Sequence, residues 1–238
     1  MLLTLFSGNF SMEQVFAQIL AVLAIVFLIL PFHEWAHAFT ASCLGDKSVK
    51  ARGRLSLNPL SHVDPFGALM LLLVGFGWAK PVPIDPRYFK RPKLGMAITA
   101  VMGPVANVVA ALVGLLLLNM CAVFFPNFLA EELMFHNGDF YVIHPNLPLY
   151  FFNFYISVNL NLAVFNMIPI PPLDGSKVMF LFLPDKAVNF FYRYQQIFFF
   201  ALFFLMWRGA FSGVIGYCTG WLYQGLNWLA LLPFKPFL

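Results

Sequence analysis

The sequence contains few charged residues for its length. Only 10% of its 238 residues are Asp, Glu, Lys or Arg, whereas 61% are hydrophobic. Soluble domains have about 25% charged residues, so this chain lacks the polar surface of a soluble single-domain enzyme. It also lacks the charge that is typical of a disordered regulator. The composition therefore predicts a polytopic membrane protein.

Cysteine is also scarce. The chain has three, Cys43, Cys121 and Cys218, and their odd number and wide spacing match neither a disulfide-built secreted domain nor a CxxC site. Internal repeats and low-complexity linkers are missing from the sequence as well. We therefore expect residues 1–238 to form a single membrane-embedded domain.

Basic residues outnumber acidic ones, 14 to 10. Nine of the 14 lie between Lys47 and Lys93, just outside long uncharged runs. This distribution is typical of cytoplasmic loops between membrane spans rather than of a nucleic-acid interface. We expect a lipid bilayer, and no nucleic acid, as the environment of this chain.

The uncharged runs are long enough to cross a membrane, because about 20 residues span a bilayer as a helix. Residues 65–79 are shorter, contain three glycines and have basic residues on both sides, so a re-entrant element is favoured there. We therefore predict an all-α polytopic membrane protein with about five to six transmembrane helices plus a re-entrant or β-hairpin membrane element. The predicted spans lie in residues 15–32, 94–130, 140–173, 187–207 and 209–234.

The charge asymmetry around the first span predicts its orientation. The first 13 residues contain no Lys or Arg, whereas Lys47, Lys50, Arg52 and Arg54 follow the span. Basic loops stay in the cytoplasm, so we expect the N-terminus outside and residues 46–93 inside. The predicted location is the cell membrane, with a multi-pass topology.

A possible metal site lies at the end of the first span, in the sequence His-Glu-Trp-Ala-His. His33 and His37 are four residues apart and therefore share one face of a helix, with Glu34 beside them. Two imidazoles on one helical turn suit Zn²⁺, and a nearby carboxylate suits the activation of water. Ionisable residues inside a membrane helix are costly and usually functional, which favours this interpretation over buried structural histidines.

A catalytic zinc needs a third protein ligand besides the two histidines. Asp174 is the favoured candidate, because Pro169, Pro171 and Pro172 unwind the end of the preceding span and Gly175 permits an unusual turn. Both segments also approach the cytoplasmic face in the predicted topology, so we expect the metal site nearer that face.

Other side chains are weaker candidates for the third ligand. His136 and His144 fall in the predicted outside loop, and His62 fits better as the organiser of the turn that enters the re-entrant element. Cys43 is six residues from His37, which turns it away from the ligand face.

Together, the His33–His37 helix and the segment 166–175 resemble the site-2 protease family of intramembrane zinc metalloproteases. The two motifs occur in the family's order on separate membrane segments, and Gly103 to Asn107 also resembles a family feature. The similarity covers a catalytic core of about residues 15–182, followed by C-terminal helices at about 187–234. The chain is similar to the small members that lack PDZ or CBS domains.

The resemblance implies a role for each of these residues. His33, His37 and Asp174 would bind one Zn²⁺ per chain, and Glu34 would act as general base and acid. Asn166 would bind or polarise the scissile carbonyl, and Asn107 would help to position the substrate. The expected substrate is a transmembrane protein or a segment derived from a signal peptide.

Three functions follow from these patterns. The favoured function is an intramembrane zinc metalloprotease that hydrolyses peptide bonds within transmembrane segments by zinc-activated water. The first alternative is a zinc-binding membrane scaffold or chaperone without catalysis. The second is a metal transporter, which is less favoured because the last three apolar stretches offer mainly Arg193 and Arg208 as ionisable groups.

Overall fold

The structure is a computed structural model that describes residues 12–74, 79–125, 132–136, 139–144 and 147–237. Its helices are α1 Met12–Ala24, α2 Leu30–Cys43, α3 Ser48–Ala51, α4 Pro65–Val74, α5 Pro92–Phe124, α6 Leu147–Asn166, α7 Gly175–Phe180, α8 Asp185–Arg193, α9 Gln195–Trp207 and α10 Ser212–Leu231. Its two strands, β1 Glu132–His136 and β2 Asp139–His144, form an antiparallel hairpin. Short 3-10 helices occupy Pro59–Ser61, Pro86–Tyr88 and Leu232–Phe237.

Helices α1 and α2 form one continuous rod that is interrupted only by a π-helical turn, Ile25–Ile29. The turn directly precedes Pro31, which lies at the start of α2. Because Pro31 has no N–H to bond the carbonyl four residues earlier, the wider π turn accommodates it without ending the helix. The rod ends at Cys43, with Leu44 as its C-cap.

The rod, α5 and α6 form the centre of the protein. α1 packs on α6, α2 packs on α5, and α5 packs on α6 along its length. One apolar cluster joins the π turn to both helices through Ile25, Ile29 and Ala110, with Phe154 and Tyr155 of α6 against it. A second cluster connects α5 and α6 to α10 through the buried side chains of Leu115, Ile156 and Ala230. The resulting bundle places α5 directly beside the His33–His37 turn.

Three of the described helices are long and apolar enough to cross a membrane: Val22–Cys43, Pro92–Phe124 and Leu147–Asn166. They overlap the first three predicted spans, but the first continues to Cys43 instead of ending at residue 32, and the second begins at Pro92. The helix predicted over residues 187–207 is instead divided at Tyr194, which leaves α9 with 13 residues. α10 has 20 residues but contains Thr219, Gln224 and Asn227. A mostly helical membrane protein is therefore supported, and the count of five to six spans stays a prediction.

Two further parts of the predicted topology extend beyond the described residues. The N-terminus, predicted to lie outside, falls in residues 1–11, which are outside the described residues. The predicted re-entrant element is described as α4 and then from Ala79, with residues 75–78 outside the described part. Its two ends meet, because Val63 and Ala79 form an antiparallel bridge and Lys80 N donates to His62 O at 2.7 Å. Whether this segment enters the membrane stays a prediction.

After this bridge, residues 80–85 run extended beside α2. Val82 and Phe89 are buried against Ala38 and Ala41 of α2. The segment ends at Asp85, whose carboxylate accepts hydrogen bonds from the Arg87 guanidinium and from Arg87 N. These hydrogen bonds lower the pKa of the Asp85 carboxyl to about 2. The segment is therefore fixed to the helix that carries the two predicted histidine ligands.

The end of α6 agrees with the expectation from the prolines. The helix stops at Asn166, and regular helical structure resumes only at Gly175, where α7 begins. Gly175 lies too close to the preceding loop for any side chain, since a Cβ there would be 2.2 Å from Met167 O. This tight return brings Asp174 to the start of α7, which packs on α5.

Candidate metal centre

His33, His37 and Asp174 converge on one point between α2 and the start of α7. His33 Nε2 lies 3.0 Å from His37 Nε2. Asp174 Oδ2 lies 3.4 Å from His33 Nε2 and 3.2 Å from His37 Nε2. The histidine side chains are 7% exposed and that of Asp174 is 15% exposed, so all three are largely shielded from solvent.

The second nitrogen of each imidazole is held by α5. His37 Nδ1 donates to the carbonyl oxygen of Thr99 at 2.7 Å. Because a carbonyl can only accept, this bond places the proton on Nδ1 and leaves the lone pair of Nε2 free. His33 Nδ1 lies 2.8 Å from Asn107 Oδ1, and the same tautomer follows if the amide oxygen faces the ring. Both Nε2 atoms then present lone pairs to the same point.

The carboxylate is oriented in a similar way. Lys177 Nζ, one turn further along, lies 3.3 Å from Asp174 Oδ1. The ammonium group therefore engages one carboxylate oxygen, while Oδ2 points to the imidazoles. Lys177 also donates to Pro172 O at 3.1 Å, so the loop and the carboxylate are held by one cation.

The two imidazoles fit against α5 because Gly103 has no side chain. A Cβ at this position would lie 2.3 Å from His37 Nε2 and 2.5 Å from His33 Cε1, closer than any real contact. The backbone of α5 therefore touches both rings directly. This close approach explains why Thr99 and Asn107, four residues to either side of Gly103, reach the two Nδ1 atoms.

The donor set fits a zinc ion. A tetrahedral Zn²⁺ with nitrogen and oxygen ligands at about 2.0–2.2 Å separates those ligand atoms by about 3.3–3.6 Å. The three separations, 3.0, 3.2 and 3.4 Å, are close to this range. Metal-binding histidines also donate their other N–H to a carbonyl or carboxylate oxygen, as His37 does here. His33, His37 and Asp174 are thus the residues that would hold the metal.

Glu34 lies next to His33 on α2 and is half-buried. Its Oε2 accepts a hydrogen bond from Val82 N at 3.0 Å, across the gap between α2 and the extended segment. Among the described residues this is the one hydrogen bond that the Glu34 side chain makes, and its other carboxylate oxygen, Oε1, has no such partner. A carboxylate beside the ligands with one engaged oxygen can accept a proton at the other.

The remaining predicted residues differ in their contacts. Asn166 is the last residue of α6 and half-buried, and within the described part of the chain it forms no hydrogen bond with the three candidate ligands. His62 is fully buried and its Nε2 lies 2.6 Å from Ser56 O, which suits the predicted role in the turn. Cys43 is exposed, as expected from its angular position. The backbones of His136 and His144 belong to the β hairpin.

The structure adds three contributors that sequence reasoning did not identify. The Thr99 carbonyl and the Val82 N–H are backbone groups, so the residue type gave no signal for either. Lys177 could have been identified from the sequence, because its position three residues after Asp174 is a helical i, i+3 spacing.

Asn107 offers a test of how the first imidazole is oriented. We expect Asn107→Ala to weaken zinc affinity by about 10–100-fold, because the partner of His33 Nδ1 is removed. Asn119→Ala on the same helix is the control, since Asn119 Nδ2 is buried without a hydrogen-bond partner in the part of the chain that the structure describes. Equilibrium competition with a zinc chelator measures the difference. Unchanged zinc affinity with a raised KM would instead support the predicted role in substrate positioning.

Comparison with known proteins agrees with this geometry. The profile of Peptidase family M50 matches residues 20–207, which include all three candidate ligands. "Putative zinc metalloprotease YwhC" of Bacillus subtilis is 40% identical over 158 residues, 65% of this chain and 66% of that protein. "Putative zinc metalloprotease Rip2" of Mycolicibacterium smegmatis is 30% identical over 151 residues, 61% of this chain and 51% of that protein.

The matched regions thus span about two thirds and about half of these two curated relatives. No solved structure matches this chain. The family profile, however, covers most of the sequence and contains both motifs of the candidate site. On this evidence the chain belongs to Peptidase family M50, the site-2 protease family.

Proposed function

We propose that this protein is an intramembrane zinc metalloprotease that hydrolyses peptide bonds within transmembrane segments. The observation that carries the proposal is the meeting of His33 Nε2, His37 Nε2 and Asp174 Oδ2 within 3.4 Å of one another. The two histidines belong to a helix that is long and apolar enough to cross a membrane. A metal site in a water-soluble protein does not require a helix of this length and hydrophobicity.

Each residue has a distinct task in the proposed reaction. His33, His37 and Asp174 would hold one Zn²⁺, which would polarise the scissile carbonyl and lower the pKa of the attacking water. Glu34 takes the proton of that water at Oε1 and transfers it to the leaving amine. Asn166 donates from Nδ2 to the carbonyl oxygen as it gains negative charge.

The depth of the site favours a substrate within the bilayer. The last residue of α2 is Cys43, and at 1.5 Å per residue His37 and His33 lie about 9 and 15 Å from it along the axis. Lys47, Lys50, Arg52 and Arg54 follow that end, which supports a cytoplasmic location for it in the cell membrane and an outside N-terminus. The substrate is a transmembrane protein or a signal-derived segment, and it must unwind locally because an intact helix keeps its carbonyls hydrogen-bonded.

Purified protein and a panel of single-pass peptides test this function. We expect cleavage within the apolar part of at least one peptide, located by mass spectrometry of both products. Removal of zinc with a chelator should reduce the rate to background, and one equivalent of Zn²⁺ should restore it, because the ligand set holds a single ion. A chelator already saturated with zinc is the control for direct effects of the reagent.

The two other functions give different results in the same system. A zinc-binding scaffold or chaperone binds one ion and leaves every peptide uncut. A metal transporter accumulates zinc inside proteoliposomes, and this accumulation does not depend on a peptide. Either outcome, in protein with full zinc content, would contradict the proposed proteolysis.

A further inference from the structure

The contact between Glu34 and the extended segment suggests a role for residues outside the metal centre. Val82 N donates to Glu34 Oε2 at 3.0 Å. Glutamate has three rotatable bonds, and a general base must be held within hydrogen-bond reach of the proton that it accepts. The position of Glu34 therefore depends on how firmly the Val82 backbone is fixed.

The Val82 backbone is fixed by packing on one side. The Val82 side chain is 8% exposed and lies in a cluster with Ala38, Ala41, Val49 and Phe89. Two members of this cluster, Ala38 and Ala41, belong to α2. The extended segment and the helix that carries Glu34 therefore share one small apolar core.

A buried carboxylate fixes the other end of the segment. Asp46 is fully buried, and its Oδ2 accepts a hydrogen bond from Asp85 N at 2.8 Å. Its Oδ1 accepts from Ser48 N at 2.9 Å, so both oxygens are engaged. An ionisable group is seldom buried completely unless its hydrogen bonds are satisfied, and here the backbone N–H of the extended segment provides one of them.

The end of α2 is shaped to bring Asp46 to this segment. Gly45 has a φ of +117°, which side chains disfavour, and a Cβ there would lie 3.0 Å from Tyr88 O. Asp46 N donates back to Ala41 O at 2.9 Å, which anchors the turn on the helix. α2 and the turn that follows it thus hold the segment through two carboxylates: Glu34 at Val82 and Asp46 at Asp85.

We propose that Asp46 and Val82 are positioning residues for the general base: Asp46 anchors residues 82–85, and the Val82 N–H then holds Glu34 Oε2 so that Oε1 faces the reacting water. This inference rests on the proposed function. It assigns to the segment a role in turnover. If Glu34 is positioned in this way, loss of either contact lowers kcat and changes KM little.

Proline substitution tests the hydrogen bond itself. Val82→Pro removes the N–H donor from an extended stretch that already contains Pro81 and Pro83, so the backbone conformation is compatible. We expect kcat for a cleaved peptide to fall about tenfold, with KM within about twofold of wild type and zinc content unchanged. Val82→Ala keeps the N–H but loses part of the packing that fixes it, so kcat should fall less than in Val82→Pro.

Ile84→Pro is the matched control in the same segment. Its side chain packs against the same cluster, and among the described residues no hydrogen bond from Ile84 N is found. We expect kcat near the wild-type value for this variant. Equal losses of kcat in Val82→Pro and Ile84→Pro, or an increase of KM alone in Val82→Pro, would overturn the proposal.

Asp46 variants extend the test to the anchor. Asp46→Ala should lower kcat as Val82→Pro does, and Asp46→Asn, which keeps one acceptor oxygen, should recover part of the loss. The double variant Asp46→Ala with Val82→Pro should be no slower than the slower single variant, because both changes release the same carboxylate. Additive losses of kcat would show that the two residues act independently, which would contradict the proposal. Wild-type cleavage in the same assay separates failure of this inference from failure of the proposed function.

Discussion

Glu34→Gln is expected to reduce cleavage of a transmembrane peptide by about 10²–10⁴-fold while zinc content stays at the wild-type level. The amide oxygen of glutamine can still accept the Val82 N–H, so the side chain keeps its place beside His33. An amide cannot take up the proton of the attacking water, and general acid–base catalysis contributes rate factors of about this size. The measurement is single-turnover cleavage of zinc-loaded protein.

Two further variants define what this result means. Cys43→Ser, on the exposed side of the same helix, should cleave at the wild-type rate. Asp174→Ala should lose zinc as well as activity, because a carboxylate next to both imidazoles is removed. Wild-type rates in the Glu34→Gln variant would rule out Glu34 as the general base and, with it, the proposed reaction.

Gly103→Ala is expected to eliminate zinc binding and cleavage together. The new methyl group would lie 2.3 Å from His37 Nε2 and 2.5 Å from His33 Cε1, so either the imidazoles rotate or α5 moves away. If α5 moves, the hydrogen bonds from His37 to Thr99 O and from His33 to Asn107 are broken as well. We expect the affinity for zinc to fall by about 100-fold or more, since both ligands and their orienting partners are disturbed.

Gly114→Ala on the same helix is the control for the general cost of a methyl group on α5. Its Cβ would meet Ile156 Cγ1 and the Tyr155 ring at 3.0 Å, which is tight but involves side chains that can shift. We expect some loss of thermal stability in this variant and full zinc content. Zinc titration of the two variants side by side makes the comparison. Full zinc content in Gly103→Ala would show that zinc binding does not depend on the close approach of the α5 backbone to the two imidazoles.

The side chains that the structure brings together could be identified from the sequence, because their chemistry is unusual in their surroundings. His33 and His37 are ionisable groups in an apolar helix, and Asp174 follows a run of prolines that ends another helix. Residue type and helical spacing carry that information directly. The Thr99 carbonyl, the Val82 N–H and the space at Gly103 depend on how α2, α5 and the extended segment approach one another, which no local pattern encodes.

Asn107 shows a different limit of sequence reasoning. The resemblance implies that Asn107 positions the substrate, whereas the structure gives it a contact with His33 Nδ1 that spacing alone does not predict. The segment predicted as a span over residues 187–207 shows a related limit. An apolar run indicates that a segment can be buried in lipid, but it does not reveal a break such as the one at Tyr194 between α8 and α9.

The π turn at Ile25–Ile29 affects how the two halves of the first rod depend on each other. A π turn contains one residue more than an α-helical turn, so it changes the angular phase between side chains before and after it. α1 can therefore meet α6 while α2 meets α5. The residues of α1 are thus placed for contact with α6, whereas those of α2 direct His33 and His37 towards α5, where their Nδ1 atoms meet Asn107 and the Thr99 carbonyl.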